Sequence, residues 1–326
     1  MPMYQFCTYF DRNYLLRGLT LYRSLVATGC DFQFHVLALD DDVAGILKLL
    51  ALPNLHVIPL RTLEQWEPAL LAAKENRRLI EYYFTLTPQL PLYLLAQHPE
   101  IELVTYLDAD LYFYASPEPL FTELGSRSIL ITPHRYPNHL KGQEVYGLFN
   151  VQYQSFRRDQ MGLACLRRWG DQCLDWCYDR AEDGKYGDQK YLDEWPALYG
   201  EHLVILDNRG GGLAPWNWLS TPIRLRNETV TIGSDPLIFY HFHGVKVFSP
   251  YFISNGLLDW GMMPWQLLRW FYANYLRQLR ATRKWIEQQT GISVPMRDRT
   301  IRGQGVKIAA LGEILRKAWA QSTFAF

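Results

Sequence analysis

No run of eighteen apolar residues occurs in the chain, which excludes a membrane-spanning helix by length alone. No charged leader followed by an apolar stretch opens the sequence, so the expectation is a protein that stays in the cytoplasm. Cysteine is scarce, with five in 326 residues. Cys165, Cys173 and Cys177 recur at helical spacings, and Cys7 and Cys30 lie in apolar surroundings. The odd number and the lack of zinc-ligand spacing point to buried, reduced thiols. Net charge is zero, so no overall attraction to nucleic acid is expected. The phosphate-binding signatures G-x-x-x-x-G-K-[ST] and G-x-G-x-x-G after the first strand are both missing. Gly210-Gly-Gly212 is not followed by a helix start and reads as a tight loop. There is no internal repeat and no low-complexity segment.

What the chain has in quantity is apolar and aromatic residues, 48% and 15% of the total, enough for a sizeable core. The zero net charge conceals an asymmetry. Residues 262–326 carry 11 Lys and Arg against 3 Asp and Glu, leaving 22 against 30 in the rest. A basic tail on an acidic body suggests a partner of its own. Within it Trp265, Leu268, Tyr272, Tyr275, Leu276, Leu279 and Ile286 fall on one helical face, and Arg269, Arg277, Arg280 and Lys284 on another. That pattern suits a helix lying on an anionic membrane surface, here the inner face, or a helix packed on the body with its arginines in water.

Strands and helices alternate from the start. Strands are expected over residues 3–8, 32–39, 55–60, 103–107, 128–132, 145–156, 203–206 and 237–242. Helices are expected over 14–27, 44–52, 163–179 and from Gly187 to about Trp195, with a mostly helical stretch over 63–97 interrupted near Pro88 and Pro91. Such alternation implies an α/β fold with a mixed, mainly parallel sheet covered by helices. Short connections make residues 1–260 one domain, with 261–326 a basic helical appendage. Ligands of such sheets bind beyond the carboxyl ends of the strands.

Asp108 and Asp110 stand at one of those ends, after the apolar run Leu103–Leu107. Residues i and i+2 of a strand share a face, so both carboxylates aim at one spot. Carboxylates held that close repel unless a cation lies between them, and oxygen ligands suit Mg²⁺ or Mn²⁺. His241 or His243, after the strand near 237–242, adds an imidazole that would complete a site; ordinary strand-end histidines are the plainer alternative. Lys246 follows, either free to meet a diphosphate or simply solvated. Asp188 at a helix start reads first as an N-cap.

Taken in order over roughly residues 3–250, these features resemble a nucleotide-diphospho-sugar glycosyltransferase of the GT-A fold, close to glycosyltransferase family eight. Asp11-Arg-Asn-Tyr14 resembles the family's Asp-x-Asn-Tyr, and Tyr106-Leu-Asp-Ala-Asp110 its Tyr-Leu-Asp-x-Asp. Phe149-Asn150, Gly187-Asp-Gln189, Ala214-Pro-Trp-Asn217 and His241-Phe-His-Gly244 match four further motifs. Three positions differ. Gln152 stands where the family has Gly, His134 where an acidic residue is common, and no Arg stands near Thr85, although Arg77 and Arg78 are close.

The resemblance implies a Rossmann-like catalytic domain and a metal-dependent sugar transfer. Asp108, Asp110 and His241 would hold Mn²⁺ or Mg²⁺, and Asp11, Asn13 and Tyr14 the nucleoside of a UDP-sugar. Lys246 would add a second cation at the diphosphate. Asn150, Asp188 and Gln189 would hold the transferred sugar, with Asp188 stabilising an oxocarbenium-like centre under retention or acting as general base under inversion. The acceptor would be a glycan, a lipid-linked sugar or a small molecule, in glycan or envelope polysaccharide synthesis. The rival readings are a sugar-1-phosphate nucleotidyltransferase, whose basic Gly-rich loop is not visible here, and a non-catalytic carbohydrate-binding protein.

Overall fold

A computed structural model describes residues 3–298 and the strand Ser322–Phe324. The first half of the chain is a run of β-α units. It comprises β1 (Tyr4–Phe10), α1 (Leu15–Ala27), β2 (Phe32–Ala38), α2 (Asp41–Leu50), β3 (Leu55–Pro59), α3 (Leu60–Trp66), α4 (Ala69–Asn76), α5 (Leu79–Gln97), β4 (Leu103–Leu107), β5 (Leu111–Phe113) and α6 (Glu118–Leu124). The second half contributes β6 (Ile129–Pro133), β7 (Phe149–Arg157), α7 (Gln160–Asp175), α8 (Trp195–Tyr199) and β8 (Leu203–Ile205). Then come the small strands β9 (Ile223–Arg226), β10 (Thr229–Ile232), β11 (Asp235–Pro236), β12 (Phe239–His241), β13 (Lys246–Ser249) and β14 (Phe252–Ser254). The helices α9 (Trp265–Leu268) and α10 (Asn274–Thr290) follow, and β15 (Ser322–Phe324) ends the described chain.

The main sheet has seven strands in the order β3-β2-β1-β4-β7-β6-β8. All neighbours are parallel except β7, which runs antiparallel to β4 and β6. Its inner strands are buried on both faces, as a sheet covered on both sides requires, although β7 also buries Asn150, Gln152, Gln154 and Ser155. One hydrophobic core lies under α1, α2 and α10, the other under α5 and α7. Cys7, Cys165, Cys173 and Cys177 are fully buried in the second, as free thiols.

Local chemistry sets several boundaries. Asp40 caps α2 by accepting from Val43 N at 2.8 Å, so the Asp40-Asp-Asp42 run is a helix start. Asp159 caps α7 through Gly162 N at 2.8 Å. The expected interruption near Pro88 and Pro91 is absent, since both prolines lie inside a continuous α5. Each forfeits a backbone hydrogen bond, at a cost of about 3 kcal/mol in an isolated helix. Both are buried where α5 packs on α7, and that packing outweighs the local preference. The breaks fall instead between α3 and α4 and at Arg77 and Arg78. The strand expected over 145–156 begins later, at Phe149, and its first two expected residues end a 3₁₀ helix (Asn138–Tyr146) with no buried residue.

The C-terminal helices are part of the core. Leu268, Tyr272, Tyr275, Leu276, Leu279 and Ile286 are all buried against the α/β body, and of the apolar face only Trp265 is exposed. The Tyr272 and Tyr240 hydroxyls are 2.8 Å apart, and Phe242 stacks on Tyr275 at 3.7 Å between centroids. Arg17 of α1 pairs with Asp298 at 2.8 Å and donates to Val245 O at 2.9 Å. The apolar stripe expected to meet a membrane is therefore occupied by protein. The basic residues from 299 onward lie outside the described residues. No helix among the described residues is long and apolar enough to cross a membrane.

Candidate metal and nucleotide-sugar site

β4 ends at Leu107, and Asp108 and Asp110 occupy the turn into β5. Asp108 N is tied to Gln152 O of β7 at 3.0 Å, and Leu111 N closes the turn on Asp108 O at 3.2 Å. β12 pairs with β5, His241 opposite Leu111, and Phe242 N bonds to Asp110 O at 3.0 Å. That pairing brings the imidazole to the carboxylates. His241 Nε2 lies 2.9 Å from Asp110 Oδ1 and 3.7 Å from Asp108 Oδ2. One ligand atom from each of the three lies within 4.8 Å of the others. Asp110 and His241 are buried and Asp108 is half-buried, so the cluster has one open side.

Burial raises the Asp108 carboxyl, and the Asp110 charge adds to it, although the His241 ring pulls the other way. Burial acts on Asp110 in the same sense, but there the His241 ring and its hydrogen bond prevail and hold the acid low. His241 is raised because the two carboxylates overcome its burial. Two crowded carboxylates and an imidazole nitrogen make a donor set that fits a hard divalent cation with further positions left open. Tyr106 donates to Asp108 Oδ1 at 3.0 Å and fixes its rotamer. His241 Nδ1 is buried and finds no hydrogen-bond partner among the described residues. Trp216, edge-on at 5.3 Å, packs against it instead.

Asp188 stands near Asp108 and is 3% exposed. Burial, with the Asp108 charge adding, pushes its carboxyl up to about 7, although the Thr87 hydroxyl works the other way. Its Oδ2 has no partner among the described residues, and Gln189 takes the cap position of a 3₁₀ helix (Lys190–Glu194) without a side-chain cap bond, so Asp188 is not the N-cap that its position suggests. Gln189 is half-buried and donates to Tyr146 O at 2.8 Å. Asn150 is buried on β7; its Oδ1 accepts from Gln152 N at 2.8 Å and its Nδ2 meets His134 Nε2 at 3.2 Å.

Asp11, Asn13 and Tyr14 form the turn after β1. Asp11 accepts from Asn13 N at 2.9 Å, Asn13 Nδ2 at 2.8 Å and Tyr14 N at 3.2 Å. Tyr14 is partly exposed, yet desolvation of its hydroxyl and then the Asp110 charge push the phenol up to about 12, which puts this turn beside the carboxylates. Lys246 is exposed at the start of β13, opposite Ser254. His243 is exposed, its ring 5.5 Å from that of His241.

Sequence reasoning gave no role to Arg77, Thr87 or Trp216. Arg77 is buried; its guanidinium reaches Thr85 Oγ1 and donates to Cys173 O at 2.7 Å and Leu174 O at 2.6 Å. An Arg does therefore meet Thr85, arriving from the turn before α5 and not from within it. A run of two basic residues before a helix gave no sign of burial. Trp216 could have been found, since it lies in the Ala214–Asn217 motif.

The chain is 31% identical over 252 residues to YfnF of Bacillus subtilis (strain 168), across 75% of this chain and 82% of that protein. It belongs to the YfnF family. A second relative from the same organism, YfnD, is 29% identical over 248 residues, across 75% of this chain and 78% of that one. Both carry the description of uncharacterized proteins, so this membership assigns no activity. No protein-family model matches the chain. Among solved structures, this YfnF-family chain is similar to the galactosyltransferase LgtC in complex with donor and acceptor sugar analogs. The TM-score is 0.56 and the identity 17%, over 85% of this chain and 95% of that one. An active-site mutant of LgtC gives a TM-score of 0.53 at 16% identity, with the same coverage. At that identity the likeness establishes the fold, and the YfnF-family chain has the GT-A fold.

Proposed function

We propose that the chain is a metal-dependent glycosyltransferase that moves a sugar from a nucleotide-diphosphate donor, a UDP-sugar, to an acceptor hydroxyl. The observation that carries this reading is the convergence of Asp108, Asp110 and His241 within 4.8 Å of one another, on a GT-A fold, with the buried carboxyl of Asp188 close to Asp108. Asp108, Asp110 and His241 would hold Mn²⁺ or Mg²⁺. Such an ion, when bound, neutralises charge on a departing diphosphate. Lys246 adds a second positive group on the exposed rim. The Asp11–Tyr14 turn holds the nucleoside, its conformation fixed by the Asp11 hydrogen bonds. Asn150 and Gln189 orient the sugar through hydroxyl contacts.

Asp188, whose ionised form a cation beside Asp108 would favour, supplies the anion that the reacting carbon needs. As the bond from C1 to the phosphate oxygen lengthens, positive charge builds on C1 and the ring oxygen, and a carboxylate in low dielectric stabilises it. The acceptor oxygen then bonds to C1 as the phosphate oxygen departs, and its proton passes to that departing oxygen of the diphosphate. We assign retention of configuration, with Asp188 as the electrostatic partner. Titration of UDP by calorimetry with and without Mn²⁺ tests the reading. About a tenfold or greater gain in affinity with the metal is expected. Slow hydrolysis of at least one nucleotide-sugar, stopped by chelation, completes the test. Equal UDP affinity with and without metal would overturn it.

A further inference from the structure

An aromatic column runs from the metal cluster to the surface, and the function so far described does not use it. Trp216 is its root. The ring is buried, edge-on to His241 at 5.3 Å and to His243 at 5.4 Å, and 6.1 Å from the ring of Trp260. A second line of rings starts at the buried His134, which bonds to Asn150. Tyr136 stacks on His134 at 4.7 Å and 10°, and Trp260 lies near-parallel to Tyr136 at 6.5 Å and 17°. His134 and Trp216 meet at 5.4 Å, so the two lines share a base.

The base is rigid. Asn217 Nδ2 donates to His134 O and to Gly212 O, each at 2.9 Å, and its Oδ1 accepts from Ala214 N at 2.9 Å. These bonds clamp the loop that carries Trp216 to the strand end that carries His134. The tip is different. Tyr136 and Trp260 are only half-buried, whereas the core tryptophans Trp169 and Trp195 are fully enclosed. One face of Tyr136 is covered by His134 and the other is turned to Trp260. A ring slotted between those two would need about 7 Å, twice an ordinary carbon contact, and the 6.5 Å spacing is too small. With that gap closed to a ring, the half-buried Trp260 is the tip residue with surface left to offer a ligand.

The position of the column selects the ligand. Tyr136 lies near enough to Glu144 to feel its charge, and Tyr146, two residues further on, accepts from the Gln189 side chain through its backbone O. Trp260 is thus linked through Trp216 to His241 of the metal cluster, and through Tyr136 to the segment that Gln189 contacts. A pyranose has one apolar face of C–H bonds and a rim of hydroxyls. An indole covers the first and leaves the second free for polar groups, and tryptophan combines a large apolar surface with few rotatable bonds.

We propose that Trp260, backed by Tyr136 and Trp216, is the platform for the acceptor, and that the acceptor is a pyranose sugar unit, free or at the end of a glycan. The proposal rests on the reading of the chain as a glycosyltransferase. It is tested by ¹⁹F NMR on full-length protein labelled with 5-fluorotryptophan, in Mg²⁺ and UDP. The probes are methyl glycosides of glucose, galactose, mannose, N-acetylglucosamine and rhamnose. The Trp260 resonance, identified by its loss in Trp260→Phe, should shift saturably with at least one glycoside, while that of Trp169 stays fixed. With the Trp216 resonance as reporter, Trp260→Leu should weaken that glycoside about tenfold, and Trp260→Phe by less. No saturable shift of Trp260 with any of the five, or unchanged affinity in Trp260→Leu, overturns the platform. Metal-dependent UDP binding by the wild-type protein, measured on the same samples, shows separately whether the transferase reading stands.

Discussion

Asp108 and Asp110 are separated by one residue, and both the spacing and the turn that holds them give their replacement a definite expectation. Asp108→Asn or Asp110→Asn should lower turnover by about a hundredfold or more and remove the metal-dependent part of UDP affinity, with the circular dichroism spectrum unchanged. Near-normal turnover of both variants in a chelator would refute the role. The two histidines are a finer case. Strand alternation lets His241 and His243 share a face, and spacing alone left both as ligands. The structure places His241 Nε2 2.9 Å from Asp110, buried, and leaves His243 exposed. His241→Ala should therefore weaken Mn²⁺ binding far more than His243→Ala, as read by calorimetry. Equal losses would return the choice to the open state in which the sequence leaves it.

At the scale of elements, patterning located the parallel strands well because each is short, apolar and bounded by polar turns. Leu103–Leu107 was legible to the residue. β5, β9, β10, β11, β13 and β14 were not, since strands of two to four residues carry too little periodicity to stand out. Pro88 and Pro91 misled because a local rule was applied where tertiary packing governs. The candidate ligands that converge were readable and their supports were not. Nothing in the sequence says that the Tyr106 hydroxyl orients Asp108 or that Arg77 reaches Thr85. The paired strands β2 and β3 also carry a pH dependence. His35 is buried with its ring 4.9 Å from that of His56, and burial, then the His56 and His98 charges, push it down to about 3. The unfolded chain takes up a proton near pH 6.5 where the folded one does not, so stability from this residue is complete at neutral pH and lost progressively below 6.5 down to 3. Between pH 7 and pH 5 the loss should be about 2 kcal/mol. Urea unfolding of wild type and His35→Gln at both pH values measures it, and an equal acid penalty in the two proteins would contradict the assignment.

For the whole molecule, the informative surprise is the C-terminal helix. Its amphipathic pattern was plain in the sequence, but a pattern does not say what covers the apolar side. Packing decided for the body of the same chain. Removal of everything after Gly261 should accordingly leave a protein without a cooperative unfolding transition, since Phe271, Tyr272, Tyr275, Leu276 and Leu279 complete one of the two cores. Asp298→Asn is the gentler test. It leaves Arg17, nearly buried, without its carboxylate, and should cost about 3–5 kcal/mol in chemical denaturation. A truncated protein that unfolds cooperatively near the wild-type midpoint would show the helix to be an accessory.

β12 is three residues long, and its alternation divides it between two tasks. His241 turns to the carboxylates, while Tyr240 and its neighbour Phe242 turn to Tyr272 and Tyr275. One short strand is thereby a shared hinge pin. Whatever steadies His241 also steadies the helix, and linkage makes the relation reciprocal. An ion at the carboxylates would tighten the hold on residues some thirty positions along the chain, and loosening of the helix would be felt at the cation before any ligand had been touched.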